Sequence, residues 1–222
     1  MSFHGRTLAT LTATGQDKVK EGFLPLPEGF VYANYNDIES VRSLVNDKTC
    51  AVMLEFVQGE GGVLPADPEF VKQLAELCKE HNLLLIADEI QTGVGRTGKL
   101  FAYEHYGVEP DIFTLAKGLG GGFPIGAMLA KGYLAEAFSA GSHGSTFGGT
   151  PIATAAAHAT LSTILDNQLS ERAAELGEYT VKKLESKLAG NPLVKSIRGI
   201  GLLIGIECAQ PSAEIISEIH KQ

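Results

Sequence analysis

Leu83-Leu84-Leu85-Ile86-Ala87-Asp88-Glu89-Ile90-Gln91-Thr92-Gly93 is the stretch from which the fold can be read. Its apolar run reads as a buried strand that stops at a carboxylate. A second run, Ile112-Phe113-Thr114-Leu115-Ala116, stops at Lys117 and is followed by Gly118-Leu119-Gly120-Gly121-Gly122. Upstream, Asp67-Pro68 reads as an N-cap and first-turn pair. Phe70, Val71, Leu74, Leu77 and Cys78 then recur at helical spacing up to His81 and Asn82. An earlier apolar strand spans Cys50 to Phe56, with the loop Gln58-Gly59-Glu60-Gly61-Gly62 after it. Strand, helix and strand in succession make a β-α-β unit, so the pairing is parallel.

Further outward, Asn36 or Asp37 caps a helix running to about Val45, and Ile125 to Ala130 is a short apolar segment. Pro151 opens an Ala-rich helix to about Asn167, and another runs from Ser170 to about Ala189. Asn191-Pro192 breaks this pattern. Ile197 to Glu207 reads as two strands turning at Gly199-Ile200-Gly201, and Ala213 to Gln222 as an amphipathic helix with Ile215, Ile216 and Ile219 on one face. The expected division is a large α/β domain over residues 1–190 and the beginning of a smaller one over 191–222.

A net charge of −8 argues against nucleic acid or anionic membrane as partner. Three cysteines, Cys50, Cys78 and Cys208, are odd in number and widely spaced. They fit reduced thiols whose role is packing, and a cytoplasmic location. The six histidines lack metal-ligand spacing, so no metal is expected.

Ligands of open α/β sheets sit beyond the carboxyl ends of the strands. An acid and a lysine delivered there suit pyridoxal phosphate, which needs a lysine for its Schiff base and a carboxylate on its pyridinium nitrogen. Most lysines are solvated surface charges. Lys117 differs in following an apolar strand and preceding four glycines in five positions, a turn that admits close approach of a ligand. Partial desolvation, which lowers an amine's pKa, is expected of it; Lys99 and Lys131 lack this setting. Asp88 alone would be an ordinary strand-end residue, and it gains a chemical purpose from the neighbouring lysine. Gln91 is placed to donate to the ring oxygen.

Gly93-Val94-Gly95-Arg96-Thr97-Gly98 matches G-x-G-x-x-G, but no clear helix follows and no acidic residue lies at a strand end about twenty positions on, so a dinucleotide site is rejected. Gly118 to Gly122 has no Gly-Lys-Ser/Thr ending and is not a P-loop. Gly144-Ser145-Thr146-Phe147-Gly148-Gly149 precedes the helix at Pro151 and is either a phosphate contact or an ordinary helix-entry loop.

Taken together, Asp88 to Gly93 with Gly95-Arg96-Thr97-Gly98, Ala116-Lys117-Gly118 with Gly120 to Gly122, and Gly144 to Gly149 resemble the class III pyridoxal-phosphate-dependent aminotransferases in order and approximate spacing. The resemblance runs from Ser2 to the end. It implies a fold type I large domain, with a mostly parallel sheet flanked by helices, and the start of a C-terminal α+β domain. By the same resemblance Lys117 carries the coenzyme and moves the substrate proton. Asp88 binds the pyridinium nitrogen, Gln91 the ring oxygen, and Phe3 stacks on the ring. Arg6 holds a substrate carboxylate, and Glu60 stands on the substrate side. Ser145 and Thr146 contact phosphate, Thr146 that of the partner subunit in a homodimer.

Ser2-Phe3-His4-Gly5-Arg6-Thr7, Pro110 to Lys117 and Gly141-Ser142-His143-Gly144-Ser145-Thr146 are most similar to members that act on N-acetylornithine. The implied reaction moves its terminal amino group to 2-oxoglutarate, giving N-acetylglutamate semialdehyde and glutamate in arginine biosynthesis. Ornithine, 4-aminobutyrate or succinylornithine as donor, and a non-catalytic remnant, are the alternatives. Family members commonly have proline where Phe56 stands, and they are nearly twice this length. The expectation is an internal portion, truncated at both ends, that is inactive alone.

Overall fold

The computed structural model describes residues 1–221. Two short helices, α1 (Leu8–Ala13) and α2 (Ile38–Arg42), precede strand β1 (Ala51–Leu54). A two-residue hairpin follows, β2 (Val57–Gln58) and β3 (Leu64–Pro65), then helix α3 (Pro68–Glu80) and strand β4 (Leu84–Asp88). Next come β5 (Ile112–Leu115), β6 (Ala127–Ala130), and the long helices α4 (Pro151–Asp166) and α5 (Leu169–Leu188). Strands β7 (Val194–Ile200) and β8 (Leu203–Cys208) and helix α6 (Ala213–Ile219) complete the chain.

The central sheet has the order β1-β4-β5-β6. β1, β4 and β5 run parallel, and β6 returns antiparallel beside β5. The architecture is thus α/β, with a mixed but mostly parallel sheet flanked by helices. β7 and β8 form a separate antiparallel pair.

Helix α3 shows how sequence sets this layer. The Asp67 carboxylate accepts from the Glu69 and Phe70 amides, a cap that contributes about 1 kcal/mol. Phe70, Val71, Leu74, Leu77 and Cys78 are buried against Leu54, Leu85 and Ala87 of the sheet, each contributing about 1.5–3 kcal/mol for the larger side chains. Leu83 N donates to the Cys78 carbonyl, so the chain enters β4 directly from the helix end. Of the three cysteines only Cys78 is buried; Cys50 is exposed and Cys208 half-buried, so the packing role holds for one of them.

The hairpin of β2 and β3 occupies what reads in sequence as a plain loop. Two-residue strands are too short to show alternation, and tertiary hydrogen bonds define them instead. Tyr106 Oη donates toward the Phe56 and Ala66 carbonyls at 3.1 Å each. Tyr35 Oη donates to the Glu55 carbonyl at 2.9 Å. Phe56 is fully buried, its ring centroid 5.2 Å from that of Tyr106. The helix expected from Asp37 to Val45 stops at Arg42, with Asp37 accepting from the Ser40 amide as its cap. The final helix ends at Ile219 without burying a residue, and Gln222 lies outside the described residues. No helix among the described residues is long and apolar enough to cross a membrane, and none of their acidic, histidine and cysteine groups form a metal-binding cluster.

Candidate active site

Parallel pairing puts the carboxyl ends of β4 and β5 side by side. Asp88 is opposite Thr114 in register, and Lys117 lies three residues farther along the neighbouring strand's path. That separation is roughly 10 Å of strand travel and one strand spacing of about 4.8 Å at most. The sequence pattern of two apolar runs therefore brings the acid and the lysine to one edge.

Asp88 is held on every side. Its Oδ2 lies 2.7 Å from His4 Nδ1, with both side chains buried. Its Oδ1 accepts from the Ile90 amide at 3.1 Å and from Thr114 Oγ1 at 3.4 Å. The short distance to His4 assigns the imidazole proton to Nδ1, aimed at the carboxylate. His4 went unnoticed in sequence because six scattered histidines suggest no metal. Its one local signal is its place in Ser2-Phe3-His4-Gly5-Arg6-Thr7, next to Phe3. The Arg6 guanidinium stands 5.6 Å from the Phe3 ring centroid and makes no ion pair among the described residues. Phe3, His4 and Arg6 thus come to the Asp88 edge from one N-terminal strip.

Two further buried carboxylates shape the site. Glu55 accepts from the Phe3 amide at 2.9 Å and the Gly59 amide at 3.3 Å, tying the strip bearing Phe3 to the loop bearing Glu60. Burial raises its pKa, while those two N–H donors pull in the other direction. Glu89 accepts from Thr92 Oγ1 and from the Ala102 and Tyr103 amides at 3.0 and 2.9 Å, which folds the following loop back onto the strand end. Burial also raises its pKa, against the same donors. Neither residue stood out in sequence, since each takes a donor from far along the chain, Phe3 at 52 residues from Glu55 and Ala102 at 13 from Glu89, which nothing local marks.

Gln91 Nε2 lies 3.4 Å from Glu60 Oε1. A side chain at Gly59 would stand 2.4 Å from Gln91 Oε1, so the glycine is what lets the two loops approach. Gln91 and Lys117 face one cleft of ≈ 230 Å³, with Ile90, Val94, Arg96 and Leu203 among its walls. Lys117 adopts φ +42°, an uncommon conformation for a residue with a side chain, as the strand breaks into a 3₁₀ turn over Lys117–Gly120. The expected partial desolvation of Lys117 is not met: the residue is exposed, because the strand ends before it and the side chain rises into an open cleft.

Ser145 and Thr146 do not join this cluster. They sit in an exposed loop in which Ser145 Oγ accepts from the Gly148 amide at 2.9 Å. The loop Gly93 to Gly98 is a packing device. Gly98 has φ +93°, and a Cβ there would stand 2.8 Å from Ala174 Cβ on α5. Its glycines serve tight contact with a helix, a role unrelated to a dinucleotide.

The residues suit pyridoxal phosphate: a buried carboxylate with a fixed orientation, an amide and an amine facing one cleft, and an aromatic ring with an unpaired guanidinium beside it. The family model described as "Aminotransferase class-III" matches residues 1–222. The chain belongs to the class III aminotransferase family. Its relatives include the acetylornithine aminotransferase of Bacillus subtilis (strain 168), 54% identical over 99% of this chain and 57% of that relative. Among solved structures, the ornithine aminotransferase of Toxoplasma gondii ME49 superposes with a TM-score of 0.94 at 36% identity, covering 99% of this chain and 54% of that one. Another structure of the T. gondii ornithine aminotransferase has a TM-score of 0.89 at 38% identity, over 95% of this chain and 50% of that one. It is described as showing partial occupancy of pyridoxal phosphate at its active site. The chain spans about half the length of the relatives it matches.

Proposed function

We propose that this chain carries the coenzyme-holding part of a pyridoxal-phosphate-dependent aminotransferase whose amino donor is N-acetylornithine and whose acceptor is 2-oxoglutarate. The observation that carries the reading is the buried Asp88 carboxylate at the end of β4, beside the strand that leads to Lys117. When bound, pyridoxal phosphate supplies an electron sink for a substrate carbanion. Asp88 keeps the pyridine nitrogen protonated, and His4 holds the carboxylate toward it. Lys117 Nζ would hold the coenzyme and would serve as the general base and acid that takes and returns the substrate proton. Gln91 donates to the ring oxygen, and Phe3 covers a ring face. Arg6 pairs with a substrate carboxylate in bidentate fashion, and Glu60 faces the substrate from the opposite loop. Ser145 and Thr146, on their exposed loop, hold phosphate, Thr146 that of the partner subunit in a homodimer. We place the domain boundary near Asn191 and the protein in the cytoplasm.

The similarity to acetylornithine aminotransferases supports this donor. A second reading, ornithine as donor, is favoured by the superposition on the T. gondii ornithine aminotransferase. The test is a single-turnover experiment with the chain supplemented by the segments that its relatives carry beyond it, pyridoxal phosphate and each of N-acetylornithine, ornithine, 4-aminobutyrate and succinylornithine, followed by 2-oxoglutarate and measurement of glutamate; the chain by itself is expected to be inactive. N-Acetylornithine is expected to react about 10- to 200-fold faster than the others, the range open to pocket discrimination. Ornithine as the fastest donor would replace the first reading with the second. Rates no higher than those of free coenzyme for all four would contradict both.

A further inference from the structure

We infer that Arg198, on the distant β7–β8 hairpin, is a positioning residue for Glu60 and so for the selection of the amino donor; this rests on the reading of Glu60 as substrate-facing. Arg198 Nε donates to the Gly62 carbonyl at 2.9 Å, across 136 residues of sequence. The other side of its fork is fixed within the hairpin: Nη1 lies 2.7 Å from Ser196 Oγ and 2.9 Å from Glu207 Oε2. The guanidinium is therefore held by its own hairpin and presents one N–H to the Glu60 loop. A planar fork suits this double task, and a single ammonium does not.

The loop needs holding. Val63 has φ +54°, a conformation that is a true outlier for a β-branched residue and costs of order a kcal/mol or more. Strain of that kind persists only where surrounding contacts fix it. The Gly62 and Val63 amides both reach the Gly59 carbonyl, at 3.1 and 3.3 Å, which closes the turn carrying Glu60. From outside, Gly205 of β8 lies against the same two residues. A Cβ on it would stand 3.1 Å from both the Gly62 oxygen and Val63 Cβ. Arg198 and Gly205 thus clamp the strained turn from the hairpin side, while Glu55 holds Gly59 from below. Glu60 emerges between these anchors, 3.4 Å from Gln91. Without the Arg198 contact the turn relaxes, and the Glu60 carboxylate loses its fixed position.

Two measurements on the whole chain test this. The first is amide hydrogen exchange in Arg198→Gln. Exchange at Gly62 and Val63 is expected to rise roughly tenfold, the scale of a lost hydrogen bond from a charged donor, with β4 amides such as Leu85 unchanged. Arg198→Lys keeps the charge but not the fork and is expected to give an intermediate rate; it carries the test should the β4 amides show that Arg198→Gln unfolds. The second, made in the chain supplemented by the segments that its relatives carry beyond it, is a double-substitution cycle with Glu60→Gln on the donor KM and kcat. Arg198→Gln is expected to raise the donor KM several-fold at near-constant kcat, and to add nothing once Glu60 is replaced. Unchanged exchange at Gly62 and Val63 would overturn the proposal, as would effects of the two substitutions that multiply. A donor KM unmoved by Glu60→Gln alone would instead refute the substrate-facing role of Glu60, leaving the exchange result to decide whether Arg198 holds the turn.

Discussion

Asp88→Ala is expected to destabilise the chain by about 1–3 kcal/mol or more, the cost of leaving a buried donor without its acceptor. The carboxylate takes three hydrogen bonds: from His4 Nδ1, the Ile90 amide and Thr114 Oγ1. Alanine leaves all three donors facing a cavity, and His4 is as buried as Asp88, so water does not readily replace the lost acceptor. Asp88→Asn separates structure from chemistry. Its amide oxygen still serves Ile90 and Thr114, so urea unfolding is expected to move much less than for alanine. Its lack of charge removes what keeps a pyridine nitrogen protonated, and any coenzyme-dependent turnover is expected to fall about 10²- to 10³-fold, the scale of losing one preorganised electrostatic contact. An Asp88→Ala chain within 1 kcal/mol of the parent, a threshold set by ordinary surface substitutions, would show that the His4–Asp88 contact is not what holds this edge together.

Gly177→Ala reverses the usual sign of its class. In a helix, Gly to Ala gains about 0.8–1 kcal/mol of intrinsic propensity. Gly177 lies in the middle of α5, yet a Cβ there would stand 1.9 Å from the Gly201 carbonyl oxygen, a backbone atom that cannot turn aside. Gly201 is itself pressed against the Arg96–Gly98 loop, where Leu202 N donates to the Arg96 carbonyl at 2.9 Å. The added methyl therefore pushes the β7–β8 turn off the loop that forms one side of the cleft. A net loss of about 1–3 kcal/mol is expected, as for other forced overpacking. Hydrogen exchange at the Leu202 amide is expected to accelerate in parallel. Stabilisation by Gly177→Ala would mean that the hairpin is not seated as described.

The parts of the fold legible in sequence are those with a local signature. β4 and β5 announce themselves as apolar runs, and α3 by its Asp67-Pro68 start and its spacing of Phe70, Val71, Leu74, Leu77 and Cys78. The helix between β1 and β4 makes that pair parallel. By contrast, β4 and β5 are joined by a loop with only a 3₁₀ turn (Ala102–His105), so the completed fold sets their parallel pairing and with it the meeting of Asp88 and the Lys117 strand. The groups that hold the site in place carry no such signature. His4 finds Asp88 across 84 residues, and Arg198 finds Gly62 across 136, so only the completed fold pairs them. The hairpin of β2 and β3 is two residues per strand, below what alternation reveals. Gly95 and Gly98 invited a nucleotide reading because glycine marks close approach without saying to what; here the neighbour is α5. The expectation for Lys117 erred because a glycine-rich turn signals room for a ligand, and room for a ligand leaves the amine exposed.

The most direct test of the central claim, that this sheet edge presents Lys117 to pyridoxal phosphate, is chemical. The purified chain is mixed with the coenzyme, reduced with borohydride, digested and mapped by mass spectrometry, with Lys117→Ala as control. A pyridoxyl group is expected to concentrate on the peptide bearing Lys117 and to be absent from that peptide in the control. Labelling spread over surface lysines such as Lys99 and Lys131, with none favouring Lys117, would contradict it.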